Sequence, residues 1–499
     1  MSSPILALGG RARRSVAAAL IPAILLVPLR APAQPAGLPE LGDVAAVDLS
    51  PRMEQRLGQA IMADGRRDPS YIDDTAINQY LTGMGRKLAA HASGAPAVNV
   101  FAIRDASINA FALPGGYIGI HSGLVASAQN ESQLAGVLAH EIGHVAQRHV
   151  ARQLGQQSQT GMLMLGMLAA ALAAAAAGAG ELAQGAAVFG QAAALNSQLA
   201  FSRDAEREAD RVGLQMMQQA GYDPAGMSGM FARLMQTARF NQGPGPSYAS
   251  THPMSIERMS DMQNRSRDAA TGKHQDSPSF WFVRAKLSVL QSGYSRAVDP
   301  LAVLRAEAAE HNGVRAAAAL YGVAVGAMAQ GDVEAARAAW HKAVATGVQH
   351  PMLAELGVNL AIAGGDFQLA VKQAKDAFAR WPDDRALALA AARSLQRAGR
   401  DAEAVDFLNA RIEQWPEQEP VLYRMAAESH ARLKQPVAEQ RSMAQYYTLT
   451  GALPAALQQL QRARAGSRDF YEQSMLDARI ADIRRRIEED KALMAKLQS

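Results

Sequence analysis

Residues 136–149, GVLAHEIGHVAQRH, decide the fold and carry the first functional signal. On an α-helix, residues four apart project from one face, so His140 and His144 lie one turn apart. Two imidazoles at that spacing bind one zinc ion, and Glu141 lies close enough to take a proton from a water beside the metal. The segment 131–150 contains no proline and has an apolar face, so we predict a single helix over it.

A third ligand is predicted in SRDAEREADRVG, residues 202–213. Glu206 and Asp210 are four apart and therefore share one helix face. Glu206 is the predicted metal ligand, and Asp210 is predicted to accept a hydrogen bond from the far ring nitrogen of a ligand histidine, which fixes its tautomer. Glu208 competes with Glu206, but it lies about 200° round the helix, so only one of the two can face the metal. Gly143 is a poor helix former, and we expect it to mark close approach by another element.

Three segments of the chain together carry a family resemblance: HEIGH at 140–144, SRDAEREADRVG at 202–213 and THPMSIER at 251–258. In this combination the chain resembles the gluzincin metallopeptidases, the group that contains HtpX and the CAAX-prenyl endopeptidase. Within that group it is most similar to exported members that carry a tetratricopeptide tail. The resemblance implies a zinc-protease domain, one Zn²⁺ per chain, and Glu206 as the third ligand.

The resemblance also gives roles to two residues of THPMSIER. It implies that His252 can occupy the fourth position of the metal and hold the enzyme off. With that position open, His252 could instead stabilise the oxyanion of the reaction. Arg258 is expected to hold this loop or to contact the oxyanion. Without the resemblance, a histidine before a proline is an ordinary loop residue.

A strand and a hairpin are predicted ahead of the HEIGH helix. Residues 97–104, AVNVFAIR, favour a strand, and 109–125, NAFALPGGYIGIHSGLV, favour two strands joined by a Pro-Gly-Gly turn. Two interpretations of the hairpin stay open. Asn109, Ala110 and Phe111 form either plain sheet scaffold or an exposed edge to which an extended substrate adds by backbone hydrogen bonds.

Residues 1–33 have the pattern of a secretory signal peptide, with arginines before an apolar run and Ala31-Pro32-Ala33 as the cleavage site. The four arginines in this segment account for the formal net charge of +4, so the mature chain is neutral. That balance does not indicate a nucleic-acid partner. The absence of cysteine excludes disulfides and thiolate ligands. We therefore expect an exported protein of the periplasm.

A second apolar run, MLMLGMLAAALAAAAA, spans 162–177. Its sixteen residues are few for a membrane span. We favour a buried helix of the protease core or a mobile lid over the metal site. Peripheral contact of this segment with a membrane surface stays open.

A 34-residue period follows the polar segment 264–279. It is carried by three glycines, each followed five residues later by alanine, and by two tryptophan-proline pairs: Gly331, Gly365, Gly399, Trp381 and Trp415. This period is typical of tetratricopeptide helix pairs, which stack into a curved array with a concave binding face. The charged segment 452–499 is out of phase and predicts a capping helix.

These features predict a mostly helical α+β protein. Its predicted parts are a signal peptide at 1–33, a zinc metalloprotease domain with a small sheet at 34–263, a linker at 264–279 and an α-solenoid of tetratricopeptide repeats at 280–499. The predicted activity is that of a zinc-dependent endopeptidase. The resemblance implies unfolded or misassembled outer-membrane β-barrel proteins as substrates, and contact of the repeats with the barrel-assembly machinery. Two alternatives stay open: an assembly chaperone with a latent protease site, and a membrane-bound quality-control protease.

Overall fold

The structure is a computed structural model. The residues that it describes are 50–156, 201–240, 248–268, 274–291, 299–416 and 419–498. Two predicted features lie outside them, the signal peptide at 1–33 and the apolar run at 162–177. Within the described ranges, no helix is both long enough and apolar enough to cross a membrane.

A small mixed sheet follows two N-terminal helices. The helices are α1 (Pro51–Gly65) and α2 (Thr75–Ala89), and the strands are β1 (Asn99–Ile103), β2 (Ala110–Leu113) and β3 (Tyr117–His121). The strand order is β1-β3-β2, with β3 parallel to β1 and antiparallel to β2. The turn glycines, Gly115 and Gly116, have φ of 77° and 84°, a conformation that suits glycine. The predicted strand and hairpin are confirmed.

The other described residues of the N-terminal half are mostly helical. Its helices are α3 (Ser122–Ser127), α4 (Glu131–Ala146), α5 (His149–Gln156), α6 (Arg203–Gln219), α7 (Ala225–Phe240), α8 (Tyr248–Thr251) and α9 (Ile256–Asp268). Helix α4 packs against α2, α6, α7 and β2, and its residues from Glu131 to His144 are all buried. Asn130 caps its first turn by accepting a hydrogen bond from the backbone N–H of Gln133. Helix α4 is therefore the central element of this half.

Helix α4 ends earlier than the sequence predicted. The prediction ran to Val150, but the helix ends at Ala146 and α5 begins at His149. Between them, Arg148 has φ of 51°, a left-handed conformation that does not occur within a continuing helix. Its guanidinium donates two hydrogen bonds to Oε1 of Glu54 on α1, at 3.0 and 2.7 Å. This turn redirects the chain, so His149 does not lie where a continuous helix would place it.

Two glycines of α4 allow the neighbouring helices to approach closely. A Cβ added at Gly143 would lie 2.9 Å from the carbonyl oxygen of Ala209 on α6. A Cβ added at Gly136 would lie 2.6 Å from Cα of Met227 on α7. Side chains at these positions would force the helices apart. The close approach expected at Gly143 is confirmed.

The C-terminal half consists of helices that pair along the chain. They are α10 (Pro278–Leu290), α11 (Pro300–Glu310), α12 (Gly313–Ala329), α13 (Val333–Ala345), α14 (Pro351–Ala363), α15 (Phe367–Arg380), α16 (Arg385–Arg397), α17 (Asp401–Gln414), α18 (Pro420–Arg432), α19 (Pro436–Leu449), α20 (Leu453–Gly466) and α21 (Phe470–Gln498). The three glycines of the 34-residue period follow α12, α14 and α16, with φ between 71° and 79°. The alanines five residues later, Ala336, Ala370 and Ala404, are fully buried. The helical repeat tail is confirmed.

The two halves share one hydrophobic core. A single cluster of buried apolar side chains extends from Ile72 on the N-terminal side to Ala386 on α16. Helix α9 runs into the predicted linker and ends at Asp268. The far end of that linker is bound to the start of α4, because Ser277 donates from its backbone N–H and its hydroxyl to the two carboxylate oxygens of Glu131, at 2.7 Å each. The domain boundaries at 263 and 280 stay predictions.

Candidate metal centre

Four side chains from three segments meet in the N-terminal half. His140 and His144 come from α4, Glu206 from α6, and His252 from the turn that follows α8. One potential ligand atom from each lies within 4.8 Å of the others. All four residues are at most 1% exposed. The two histidines of α4 reach the same point because they are one helical turn apart.

The separations between these atoms fit a tetrahedral metal site. The Nε2 atoms of His140 and His144 are 3.0 Å apart, and each lies 3.4 Å from a carboxylate oxygen of Glu206. Nδ1 of His252 is 3.0 Å from Oε1 of Glu206 and 3.2 Å from Nε2 of His140. Ligand atoms bound at about 2.0–2.1 Å with tetrahedral angles lie roughly 3.3–3.4 Å apart. The four residues therefore fit a divalent metal that takes nitrogen and oxygen ligands.

Asp210 and Arg258 lie behind the cluster. Oδ1 of Asp210 is 2.9 Å from Nδ1 of His140, the ring nitrogen that faces away from the other ligands. The guanidinium of Arg258 donates to both oxygens of Asp210 at 2.8 Å. Its Nη1 lies 2.7 Å from Oε2 of Glu206 and donates to the carbonyl oxygen of Pro253 at 2.8 Å. Of the two roles expected for Arg258, these contacts correspond to holding the loop.

Burial and neighbouring charges shift the pKa values of the cluster in different directions. Burial opposes protonation of His140, but hydrogen bonds with Asp210 and Glu206 outweigh it and raise the pKa of His140 to about 9. Burial lowers the pKa of His144 well below its usual value. Burial by itself would raise the pKa of Glu206, yet His252, His140 and His144 hold that pKa well below its ordinary range. The carboxylate therefore stays ionised, which is the form that binds a metal.

Glu141 lies beside the cluster with its carboxylate buried. Nε2 of His252 is 3.5 Å from Oε1 of Glu141. In the part of the chain that the structure describes, neither oxygen of Glu141 has a hydrogen-bond partner, and neither does Nε2 of His252. A buried polar atom without a partner costs about 1–3 kcal/mol, and more when the group is charged. Oη of Tyr248, which stacks on His252, is likewise buried without a hydrogen-bond partner among the described residues.

Two aromatic side chains that the sequence analysis did not single out enclose the cluster. The ring of Phe201 stacks on His144 with centroids 4.1 Å apart, and Tyr248 stacks on His252 at 4.5 Å. Burial raises the pKa of the Tyr248 phenol well above its usual value, and the charge of Glu141 adds to the shift. Because the two rings come from separate segments with no fixed spacing to HEIGH, no sequence pattern indicates them.

Glu208 and His149 form a second layer that sequence reasoning missed. Glu208 points away from the cluster, and its Oε2 lies 3.1 Å from Nε2 of His149. Nδ1 of His149 in turn lies 2.9 Å from Nδ1 of His144. The sequence analysis assumed a helix that continued past Ala146, and on such a helix His149 would face elsewhere. The break of the helix at Arg148 brings His149 to His144, and the sequence does not show that break.

The predicted substrate edge lies on β2 and beside α4. Among the described strands, β2 is at one edge of the sheet, and α4 packs against it. Asn109, Ala110 and Phe111 are at most 1% exposed, so their side chains are buried, and pairing of a substrate with their backbone stays a prediction. This short strand pairs with β3 on one side and contacts the central helix α4.

Comparison with known proteins gives a consistent family. The sequence matches the profile of peptidase family M48 over residues 75–266. It is 30% identical over 455 residues to the β-barrel assembly-enhancing protease of Escherichia coli. That alignment covers 90% of this chain and 91% of that protein. It is 27% identical over 482 residues to the protein of the same name from Yersinia pestis, covering 94% and 97%. The mitochondrial metalloendopeptidase OMA1 of Schizosaccharomyces pombe is 32% identical over 219 residues, or 43% of this chain and 60% of that protein. The chain therefore belongs to the metallopeptidases of family M48, in the group of the β-barrel assembly-enhancing proteases.

Proposed function

We propose that the chain is an exported zinc-dependent endopeptidase that degrades misassembled outer-membrane β-barrel proteins and assists their assembly through its repeat helices. The observation that carries the proposal is the buried convergence of His140, His144, Glu206 and His252 beside Glu141. The names of the relatives that align over nine-tenths of the chain support the class of substrate. The signal pattern at 1–33 supports a periplasmic location, where such substrates pass.

His140, His144 and Glu206 are the proposed metal ligands. A set of two imidazoles and one carboxylate suits Zn²⁺ and leaves a position open for catalysis. Bound Zn²⁺ polarises a peptide carbonyl and lowers the pKa of a water toward neutrality. Asp210, 2.9 Å from Nδ1 of His140, holds that ring with Nε2 toward the other ligands.

Glu141 is the proposed general base. It accepts a proton from the attacking water and later donates that proton to the leaving amine. Its two oxygens are buried, and within the described chain they accept no hydrogen bond, so they are ready to accept one from water. Burial of the site from solvent strengthens the charge interactions at this point.

His252 is proposed to regulate the site. Its Nδ1 lies among the ligand atoms, 3.0 Å from Oε1 of Glu206 and 3.2 Å from Nε2 of His140. A side chain in that place competes for the open position that a catalytic metal needs. The other role, stabilisation of the oxyanion, predicts the opposite effect of removing the imidazole.

Substrate binding is proposed at the edge of β2, with Arg258 in a supporting role. Strand β2 is at an edge of the described sheet and contacts α4, so an extended chain paired with residues 109–111 would run beside the active-site helix. Arg258 holds Glu206 and Asp210 rather than reacting groups. The concave side of the repeats is the proposed contact with the barrel-assembly machinery.

The test uses the signal-free protein, Glu141→Gln and His252→Ala. Metal analysis is expected to find about one zinc per chain in the first two. Cleavage of casein and of an unfolded β-barrel protein is expected to fall at least about a thousandfold in Glu141→Gln, and to rise in His252→Ala. A wild-type protein without metal would overturn the proposal, and so would a Glu141→Gln variant that cleaves normally. If Glu141→Gln still complements a barrel-assembly defect, the chaperone role is the main one.

A further inference from the structure

The ring of His144 has a partner on the side that faces away from the other ligands. Nδ1 of His144 lies 2.9 Å from Nδ1 of His149, and Nε2 of His149 lies 3.1 Å from Oε2 of Glu208. Nη2 of Arg152 lies 3.3 Å from the same carboxylate oxygen. His149 is buried, whereas the side chains of Glu208 and Arg152 are 35% and 42% exposed. The four side chains form one line from the cluster to the surface.

The order of donors and acceptors along this line follows from the chemistry of imidazole. A neutral histidine that binds a metal through Nε2 carries its hydrogen on Nδ1. For His144, that hydrogen then points at Nδ1 of His149, which must accept it. The hydrogen of His149 is therefore on Nε2, where the carboxylate of Glu208 accepts it. The anion at the end of the line selects the tautomer of His144 that can bind a metal.

We infer that His149 is a positioning residue of the metal centre, anchored by Glu208, and that it does for His144 what Asp210 does for His140. The inference rests on the zinc site proposed above. It gives three of the four acidic residues that alternate along α6 separate tasks at one centre. Glu206 faces the metal position, Asp210 lies behind His140, and Glu208 lies behind the partner of His144.

The backbone is built to place His149 at this point. A helix that continued past Ala146 would turn His149 about 140° away from His144. Instead the left-handed Arg148, with φ of 51°, breaks the helix and starts α5 at His149. A left-handed conformation in a residue other than glycine costs roughly 1–2 kcal/mol. The hydrogen bonds of Arg148 to Glu54 help to hold it.

The test measures zinc affinity by competition with a chelator, in the signal-free full chain. His149→Phe keeps a ring but removes the acceptor, and the zinc dissociation constant is expected to rise about 10–100-fold. His149→Asn places an amide where Nδ1 was, and is expected to stay within about threefold of wild type. Glu208→Gln is expected to weaken binding several-fold, since Glu208 is partly exposed. Asp204→Asn, an exposed position on the same helix, is the matched control and is expected to have no effect.

Two further measurements separate positioning from general damage. The melting temperature of each metal-free variant is expected to equal that of the metal-free wild type. The visible absorption of the Co²⁺-substituted protein is expected to change in His149→Phe and not in Asp204→Asn. The inference is overturned if His149→Phe binds zinc as tightly as wild type, or if the Phe and Asn variants lose affinity equally. Should His149→Phe fail to fold, Glu208→Gln decides, and affinity equal to that of Asp204→Asn overturns the inference. A wild type without zinc would instead remove the proposed function.

Discussion

Two glutamates of helix α4, ten residues apart, are both buried, but they differ in their hydrogen-bond partners. Glu131 begins the helix, and each of its oxygens has two partners. Oε1 accepts from the hydroxyls of Tyr80 and Ser277 at 2.8 and 2.7 Å. Oε2 accepts from the backbone N–H of Ser277 at 2.7 Å and lies 3.1 Å from Nε2 of His274. Glu141 is as deeply buried, but within the described residues its oxygens accept no hydrogen bond.

The difference separates a structural carboxylate, Glu131, from the proposed general base, Glu141. A carboxylate whose lone pairs are all used is a structural tie, and here it joins the start of α4 to the first repeat helix, α10. A buried carboxylate with unused lone pairs is unfavourable by itself, and it persists only because the surrounding packing over-determines its position. Substitution of Glu131 is therefore expected to lower stability, whereas substitution of Glu141 is expected to abolish cleavage without lowering stability.

The largest effect is expected from breaking the paired charges that support the reactive end. Arg258 is 3% exposed and holds both Glu206 and Asp210. Arg258→Met would leave two buried carboxylates without their cation, and the free energy of unfolding is expected to fall by about 3–5 kcal/mol. Urea denaturation followed by circular dichroism measures this.

The same helix α9 supplies the matched control for Arg258. Arg265 pairs with Asp261 at 2.8 Å, but both side chains are nearly half exposed. Arg265→Met is therefore expected to cost at most about 0.5 kcal/mol. Equal losses in the two variants would contradict the view that burial makes the Arg258 contacts important.

The next prediction compares the same substitution, glutamate to glutamine, at Glu131 and at Glu141. Glu131→Gln cannot accept all four contacts, so it is expected to destabilise the protein by about 1–3 kcal/mol while the folded fraction still cleaves substrate. Glu141→Gln removes a charge whose oxygens accept no hydrogen bond from the described residues. It is expected to leave the free energy of unfolding unchanged or to raise it by up to about 1 kcal/mol, while abolishing cleavage. If fully folded Glu131→Gln also failed to cleave substrate, the hydrogen bonds between Glu131 and Ser277 would themselves be needed for catalysis.

Much of this site follows from helical periodicity. The four-residue spacings of His140 with His144 and of Glu206 with Asp210 predict which side chains share a helix face, and the family resemblance joins the two pairs into one site. The alternation of glycine and alanine every 34 residues is enough to name the repeat tail. Both are local patterns, and the structure has both.

The parts that could not be predicted depend on where the regular pattern stops. Nothing in the sequence shows that Arg148 adopts a left-handed conformation, and only that break brings His149 to His144. Likewise, two of the partners of Glu131, His274 and Ser277, lie more than 140 residues away in the chain. Contacts between distant segments leave no period to detect.

The last effect concerns the close approach of α4 and α6, and substitutions of two glycines are expected to change stability in opposite directions. Gly143→Ala would put Cβ 2.9 Å from the carbonyl oxygen of Ala209, so the protein is expected to lose about 1–3 kcal/mol. Gly83→Ala on α2 meets no atom within 4 Å and is expected to gain about 0.5–1 kcal/mol. Because Ala209 is one turn from Glu206, Gly143→Ala is also expected to weaken zinc binding, whereas Gly83→Ala is not. A Gly143→Ala variant that is less stable yet binds zinc normally would show that the ligands tolerate a shift between the helices. The cluster would then be held by its own side-chain contacts rather than by the packing of α4 on α6.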